Sequence, residues 1–171
     1  MLIMKINTIM KKLRLNIFSE KIKRDYKKES KIQIQDFDED SEVVNIDKIG
    51  ITEFGEGAVI FKTDDGKEFP ISAFSPETAK IISDFREGKR NQVSTVYNML
   101  EQICENSGLL LVKVRIYESG KALRANLYFT GKRELILRNY RASDGIALAT
   151  FYSIPILIKK DLLKQRPKIN S

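Results

Sequence analysis

Two runs of strict alternation near the middle of the chain, joined by a Ser-Gly turn, constrain the fold more than any other feature. In residues 109–117, LLLVKVRIY, Leu110, Val112, Val114 and Ile116 alternate with Lys113, Arg115 and Tyr117. In residues 122–129, ALRANLYF, Leu123, Ala125, Leu127 and Phe129 alternate with Arg124, Asn126 and Tyr128. A side-chain period of two marks a strand with one face on a core. Ser119-Gly120 supplies the hairpin turn, Thr130-Gly131-Lys132 turns the chain again, and RELILR (133–138) reads as a third strand.

A similar order occurs earlier. Residues 42–52 and 58–63 read as strands joined through Glu53-Phe54-Gly55-Glu56-Gly57, and Asp65-Gly66 is a strong hairpin signal before a third strand at 67–72. Ser75-Pro76-Glu77 then opens a helix: serine caps, proline suits the first turn, and the acid complements the macrodipole. Ala79, Ile82 and Phe85 follow at helical spacing. A second helix is expected over 94–105, with Val96, Met99, Leu100 and Ile103 on its apolar face and Cys104 in the core, closed by Asn106-Ser107-Gly108. In the later half Ser143 is expected to cap a buried helix over 143–152, followed by a strand at 155–158 and a helical segment at 159–165. The expected fold is α+β: a mainly antiparallel sheet built from two similar three-strand-plus-helix halves, with a linking helix. FSPETAKII and ASDGIALAT are the equivalent stretches, and no glycine-rich phosphate loop is present.

Charge divides the chain. Residues 1–31 hold ten of the 30 Lys and Arg and three of the 23 acids, so the whole net charge of +7 lies there. Such a segment is either a solvated tail or a sequence-independent grip on phosphates; Lys11, Lys12 and Arg14 are its candidate contacts. An acidic stretch, QDFDEDSE, follows. The expected organisation is a basic then acidic extension at 1–42, a domain at 43–165 and a tail at 166–171. No apolar run reaches the roughly 18–20 residues of a membrane span. A single cysteine excludes an intrachain disulfide and suits a cytoplasmic setting. The absence of histidine excludes Ser-His and Cys-His nucleophile systems and histidine-bound zinc.

Two places carry candidate chemistry. Arg141, Ser143 and Asp144 stand where a strand gives way to an apolar helix. The capping rules account for Ser143 and Asp144 but not for Arg141 or Asn139. Arg141 suits a phosphate clamp, and Asp144 a divalent metal. The polar face of the hairpin carries Lys113, Arg115, Tyr117, Arg124 and Tyr128, cations interleaved with rings as single-stranded nucleic acid requires; the same pattern fits an ordinary solvated face or a subunit interface.

RASDGIALATFYSIPILI resembles the signature of the bifunctional nuclease domain family, an Arg-Pro-Ser-Asp-Ala-Ile-Ala-Leu-Ala stretch followed by a Pro-Ile strand. Arg141, Ser143, Asp144, Ile146, Ala147, Leu148, Ala149, Pro155 and Ile156 match, and upstream Pro70, Ile71 and Ala79 do as well. Ala142 and Gly145 depart from the signature, Asn139 stands where the family often has Asp, and Val96, Tyr97 and Asn98 stand where it has Thr-His-Asp. The resemblance, over roughly 43–165, implies a nuclease hydrolysing DNA or RNA phosphodiesters with Mg or Mn. Arg141, Ser143 and Asp144 would be its catalytic residues, Asp144 a metal ligand, and Glu77, Asp84 or Glu101 candidates to complete the site. The alternative is a non-catalytic nucleic-acid-binding or assembly module with the same fold and a basic arm. Packing of the basic segment on a neighbouring subunit, in a homo-oligomer, is a third possibility.

Overall fold

The computed structural model describes residues 39–89, 95–131 and 134–164. The chain divides into two compact units, Met1–Glu39 and Asp40–Ser171; the basic segment, with Lys11, Lys12 and Arg14, lies outside the described residues. In the second unit the elements run β1 (Ser41–Ile51), β2 (Gly57–Lys62), β3 (Glu68–Phe74), α1 (Pro76–Arg86), α2 (Val96–Ser107), β4 (Leu109–Ser119), β5 (Ala122–Gly131), β6 (Leu135–Arg141), α3 (Ala142–Tyr152), β7 (Ile156–Lys159) and α4 (Lys160–Lys164). No helix among the described residues is long and apolar enough to cross a membrane.

The fold is α+β. The strands form one seven-stranded sheet in the order β3-β2-β1-β7-β4-β5-β6, which sets a three-strand meander on either side of β7. Strand β7 pairs antiparallel with β1 and parallel with β4, so the sheet is mixed, although every other pairing is antiparallel. Local turn chemistry closes the hairpins. Gly66, at φ 87°, sits in the β2–β3 turn, where its N–H donates to the Thr63 carbonyl at 3.0 Å and the Thr63 N–H donates to the Lys67 carbonyl at 3.0 Å. Helix α1 is capped as its sequence dictates: the Ser75 hydroxyl accepts from the Thr78 N–H at 3.2 Å, and Pro76 fills the first helical position.

The core lies between one face of the sheet and helices α1 and α3, which also pack on each other. Helix α1 buries Ala79, Ile82 and Phe85. Helix α3 buries eight of its eleven residues, leaving only Asp144, Thr150 and Tyr152 partly exposed. It sits close to the sheet: a Cβ on Gly145 would meet the Cβ of Ala125 at 2.6 Å and Val114 Cγ1 at 3.0 Å. Only glycine permits that approach.

Two expectations need correction. A bulge between Leu111 and Lys113 inserts one residue into β4, so Leu111 rather than Leu110 or Val112 reaches the core. Strict alternation fails there because an extra residue reverses the side-chain phase. In α2 three of the four residues of the expected stripe face outward: Val96, Met99 and Ile103 are 62%, 55% and 53% exposed, while Leu100 and Cys104, as expected, and Tyr97 turn to the core. Two apolar stripes one residue apart satisfy the same helical period, and docking selects between them.

Candidate functional site

The site candidates gather where β6 meets α3. Residues 137–140 of β6 face residues 125–127 of β5 with one residue too many, which makes a bulge. Asn139 in it takes the left-handed conformation at φ 64°, tolerable for asparagine but uncommon otherwise. Two residues later Arg141, with φ −63° and ψ 140°, is the residue that caps α3. The cap is therefore Arg141 and not Ser143, which is already inside the helix and 7% exposed. Capping preferences rank side-chain oxygens, but here the burial of Ala142, Ser143, Gly145 and Ile146 against the sheet sets where the helix begins.

Arginine suits this place poorly. It has no oxygen to accept an orphan N–H, and its charge meets the positive end of the helix dipole. Asp144 offsets the mismatch. Arg141 Nε donates to Asp144 Oδ2 and Arg141 Nη2 to Oδ1, both at 2.9 Å, a bidentate pair spanning the first turn. The bond to Asp144 raises the pKa of Arg141, so this guanidinium stays charged.

Tyr97 of α2 lies within electrostatic reach of both charges. Its ring is held edge-on by Phe85 at 5.0 Å and lies 5.9 Å from that of Phe151. Burial first, then the Asp144 charge, raises its pKa, so at neutral pH it is a phenol able to donate. This residue was named in the sequence only as the position of an absent histidine, and that correspondence is the signal that locates it. Asn98 is committed to the start of α2, where its Oδ1 accepts from the Thr95 N–H at 3.0 Å and the Thr95 hydroxyl at 2.9 Å.

The hairpin residues lie on the adjoining sheet face. Tyr117 Oη donates to Asn139 Oδ1 at 2.5 Å, and the Asn139 N–H points to the Oδ1 of buried Asn126 at 3.4 Å. Arg115 is held by Ser41 Oγ at 2.8 Å and Asp40 Oδ2 at 2.5 Å. Lys113 is only 8% exposed, its ammonium 4.9 Å from the centre of the Tyr128 ring. Lys113 and Arg115 are thus engaged within the fold. Tyr117 and Arg124 remain partly exposed beside Arg141: the register pairs Tyr117 with Arg124 and Arg124 with Arg141.

The donor set does not fit a protein-held divalent cation as folded. Both oxygens of Asp144 are taken by Arg141, and no group of three His, Cys, Asp or Glu side chains converges among the described residues. Glu101 lies instead near Glu105 and Tyr152.

The profile of the bifunctional nuclease domain matches residues 59–170 and so takes in the whole β6–α3 corner. The chain belongs to the bifunctional nuclease domain family. The match begins within β2, so β1 lies outside it although β1 is paired on both sides in the sheet. No curated protein matches the chain.

Proposed function

We propose that this protein is a nuclease acting on DNA or RNA phosphodiesters at the β6–α3 corner. One observation carries the reading: an arginine at a helix cap, costly to the helix, tied bidentate to an aspartate in a member of the bifunctional nuclease domain family. A backbone phosphate competes with Asp144 for the Arg141 guanidinium, because each offers two oxygens to its planar fork of N–H donors. When Arg141 turns to the phosphate, its charge offsets the negative charge that grows in the transition state. Asp144 is then released beside the scissile bond, free to take a proton from the attacking water. The water oxygen bonds to phosphorus as the P–O bond to the leaving oxygen breaks, and the leaving oxygen is protonated from solvent. Tyr97, a neutral phenol, supplies a further donor.

The test uses the full chain on single- and double-stranded DNA and RNA, with and without Mg²⁺ or Mn²⁺. Asp144→Asn is expected to bind substrate and lose cleavage by about 100-fold, within the range of a general base; Arg141→Ala is expected to lose both. Cleavage by Asp144→Asn at the wild-type rate sinks the assignment.

A second reading, a non-catalytic binding module, is favoured by two observations: both Asp144 oxygens are engaged, and Asn98 is committed to the capping box that Thr95 opens. Under it the wild type binds with strong salt dependence and cleaves nothing in any of these conditions, and a truncation beginning at Asp40 loses most of the binding.

A further inference from the structure

The β6 bulge is held by side chains from two other strands. Leu127 pairs with Leu137 and Ala125 with Tyr140, so Asn126 of β5 stands opposite two residues, Arg138 and Asn139. A bulge takes one residue out of the ladder and leaves its backbone groups to find other partners. Asn126, only 6% exposed, supplies one: its Oδ1 accepts from the Asn139 N–H at 3.4 Å. Tyr117 of β4 reaches across β5 and donates its hydroxyl to Asn139 Oδ1 at 2.5 Å. Asn139 is thereby fixed at both its backbone and its side chain while it holds φ 64°. The β3 bulge shows that the turn itself does not need this. There Gly57 pairs with Phe74 and Val59 with Ile71, so Ala58 faces Ser72 and Ala73, and Ala73 takes φ 65°. Neither alanine side chain can donate or accept a hydrogen bond. The same backbone forms without polar contacts; what the second corner adds is a lock two residues ahead of Arg141.

We propose that Asn139, locked by Asn126 and Tyr117, is a positioning residue for Arg141: it holds the β6 bulge in one conformation, so that the guanidinium is presented at the corner from a fixed backbone. The inference rests on the nuclease reading above and deepens it, since a group that offsets transition-state charge must be in place before the reaction begins. A non-glycine residue stays left-handed only where its surroundings over-determine it, and here two strands do so. The Arg141 side chain is 71% exposed and held by Asp144, the partner that a phosphate displaces. Once that pair opens, the direction of the side chain depends on the backbone behind it, and Asn139 sets that backbone.

The experiment compares the full-length wild type with three variants. Tyr117→Phe keeps the ring and removes the donor. Asn139→Gly takes a positive φ without strain. Asn126→Ala gives β5 the residue that β2 has at the matching place. The control is Ala73→Gly, the same backbone relief at the bulge without a lock. Measured are kcat and KM on a single-stranded oligonucleotide with Mn²⁺, oligonucleotide affinity, melting temperature, and NMR relaxation dispersion of the backbone amides of residues 139–141. The three variants are expected to show conformational exchange at 139–141 that wild type lacks. Their kcat is expected to fall about tenfold, part of what a 1 Å misplacement can cost. KM is expected to change little, because Arg141 is still present to bind. Tyr117→Phe and Asn139→Gly are expected to melt within about 4 °C of wild type; Asn126→Ala melts lower, since it strands an N–H. Ala73→Gly is expected to match wild type in kcat and in exchange at 139–141. Wild-type kcat in both Tyr117→Phe and Asn139→Gly overturns the proposal. So does a loss of kcat without exchange at 139–141, and so does an equal loss in Ala73→Gly, which would make the effect one of general stability. If wild type binds the oligonucleotide but cleaves nothing, and the two variants show exchange and bind more weakly, the positioning role stands and the nuclease reading falls. If those variants bind as wild type does, or if wild type neither binds nor cleaves, both fall.

Discussion

The β3–α1 and β6–α3 corners use one backbone device with different side chains. In each, a strand carries one extra residue opposite its neighbour, and a non-glycine residue within that bulge is left-handed: Ala73 at φ 65°, Asn139 at φ 64°. In each, the helix cap follows two residues later in an extended conformation, at φ −68° and ψ 143° for Ser75 and φ −63° and ψ 140° for Arg141. In each, the cap side chain reaches the residue three further on, Thr78 or Asp144. The first corner fills these positions with neutral hydroxyls that serve the helix. The second fills them with an ion pair whose cation works against the helix and lies within electrostatic reach of Tyr97. The backbone strain is common to both corners; what separates them at these positions is capping chemistry, good at the first and poor at the second, and that contrast is what supports the proposed site.

Exchanging the pairs tests this most severely. Arg141→Ser with Asp144→Thr gives the second corner the side chains of the first. Oligonucleotide binding and cleavage are expected to fall at least about 100-fold, or about 2.7 kcal/mol, while the melting temperature holds or rises because the cap improves. Retained function would end the distinction between the corners.

The next effect concerns helix depth. The fourth residue after each cap is Ala79 in α1 and Gly145 in α3. Gly145→Ala places a methyl 2.6 Å from the Cβ of Ala125 and is expected to destabilise by about 1–3 kcal/mol. A urea midpoint equal to wild type would mean that α3 sits no deeper than α1.

A smaller change runs in the opposite direction. Ser75→Arg removes the acceptor for the Thr78 N–H and puts a cation at the dipole, a cost of about 1 kcal/mol. Adding Thr78→Asp should restore about 0.3 kcal/mol through the i, i+3 pair. No loss in the single variant would show that capping chemistry does not separate the two corners.

The smallest effect is a pH dependence peculiar to the second corner. Burial and the Asp144 charge raise the pKa of Tyr97 above the free value of about 10. Its contribution is therefore complete below that value, and stability falls as pH rises through the higher folded value, because the unfolded chain loses its proton first. Tyr97→Phe should flatten stability between neutral pH and the alkaline transition. An unchanged alkaline slope would place Tyr97 away from the two charges.

Much of this was legible before folding. The Asp65-Gly66 turn, the Ser75 cap, the inward face of α1 and the burial of α3 each rest on chemistry within a few residues, where the chain carries its own instructions. The matched residues from Arg141 to Ile156 likewise made the family readable. What failed to read were choices of phase. Val112 alternates correctly and still misses the core because a bulge intervenes. Val96, Met99 and Ile103 form a sound apolar stripe that faces outward. Ser143 is a better cap than Arg141 by every local preference, yet lies inside the helix.

The sequence by itself determined the elements, their order and the residue types available for chemistry, since periodicity, turn residues and the lack of histidine are properties of the chain alone. The tertiary structure decided which residue caps α3, which stripe of α2 turns inward, and that Arg141, Asp144 and Tyr97 meet at one corner. Those outcomes depend on how closely helix and sheet can approach, and that distance is set by contacts such as Gly145 on Ala125, between residues far apart in the chain.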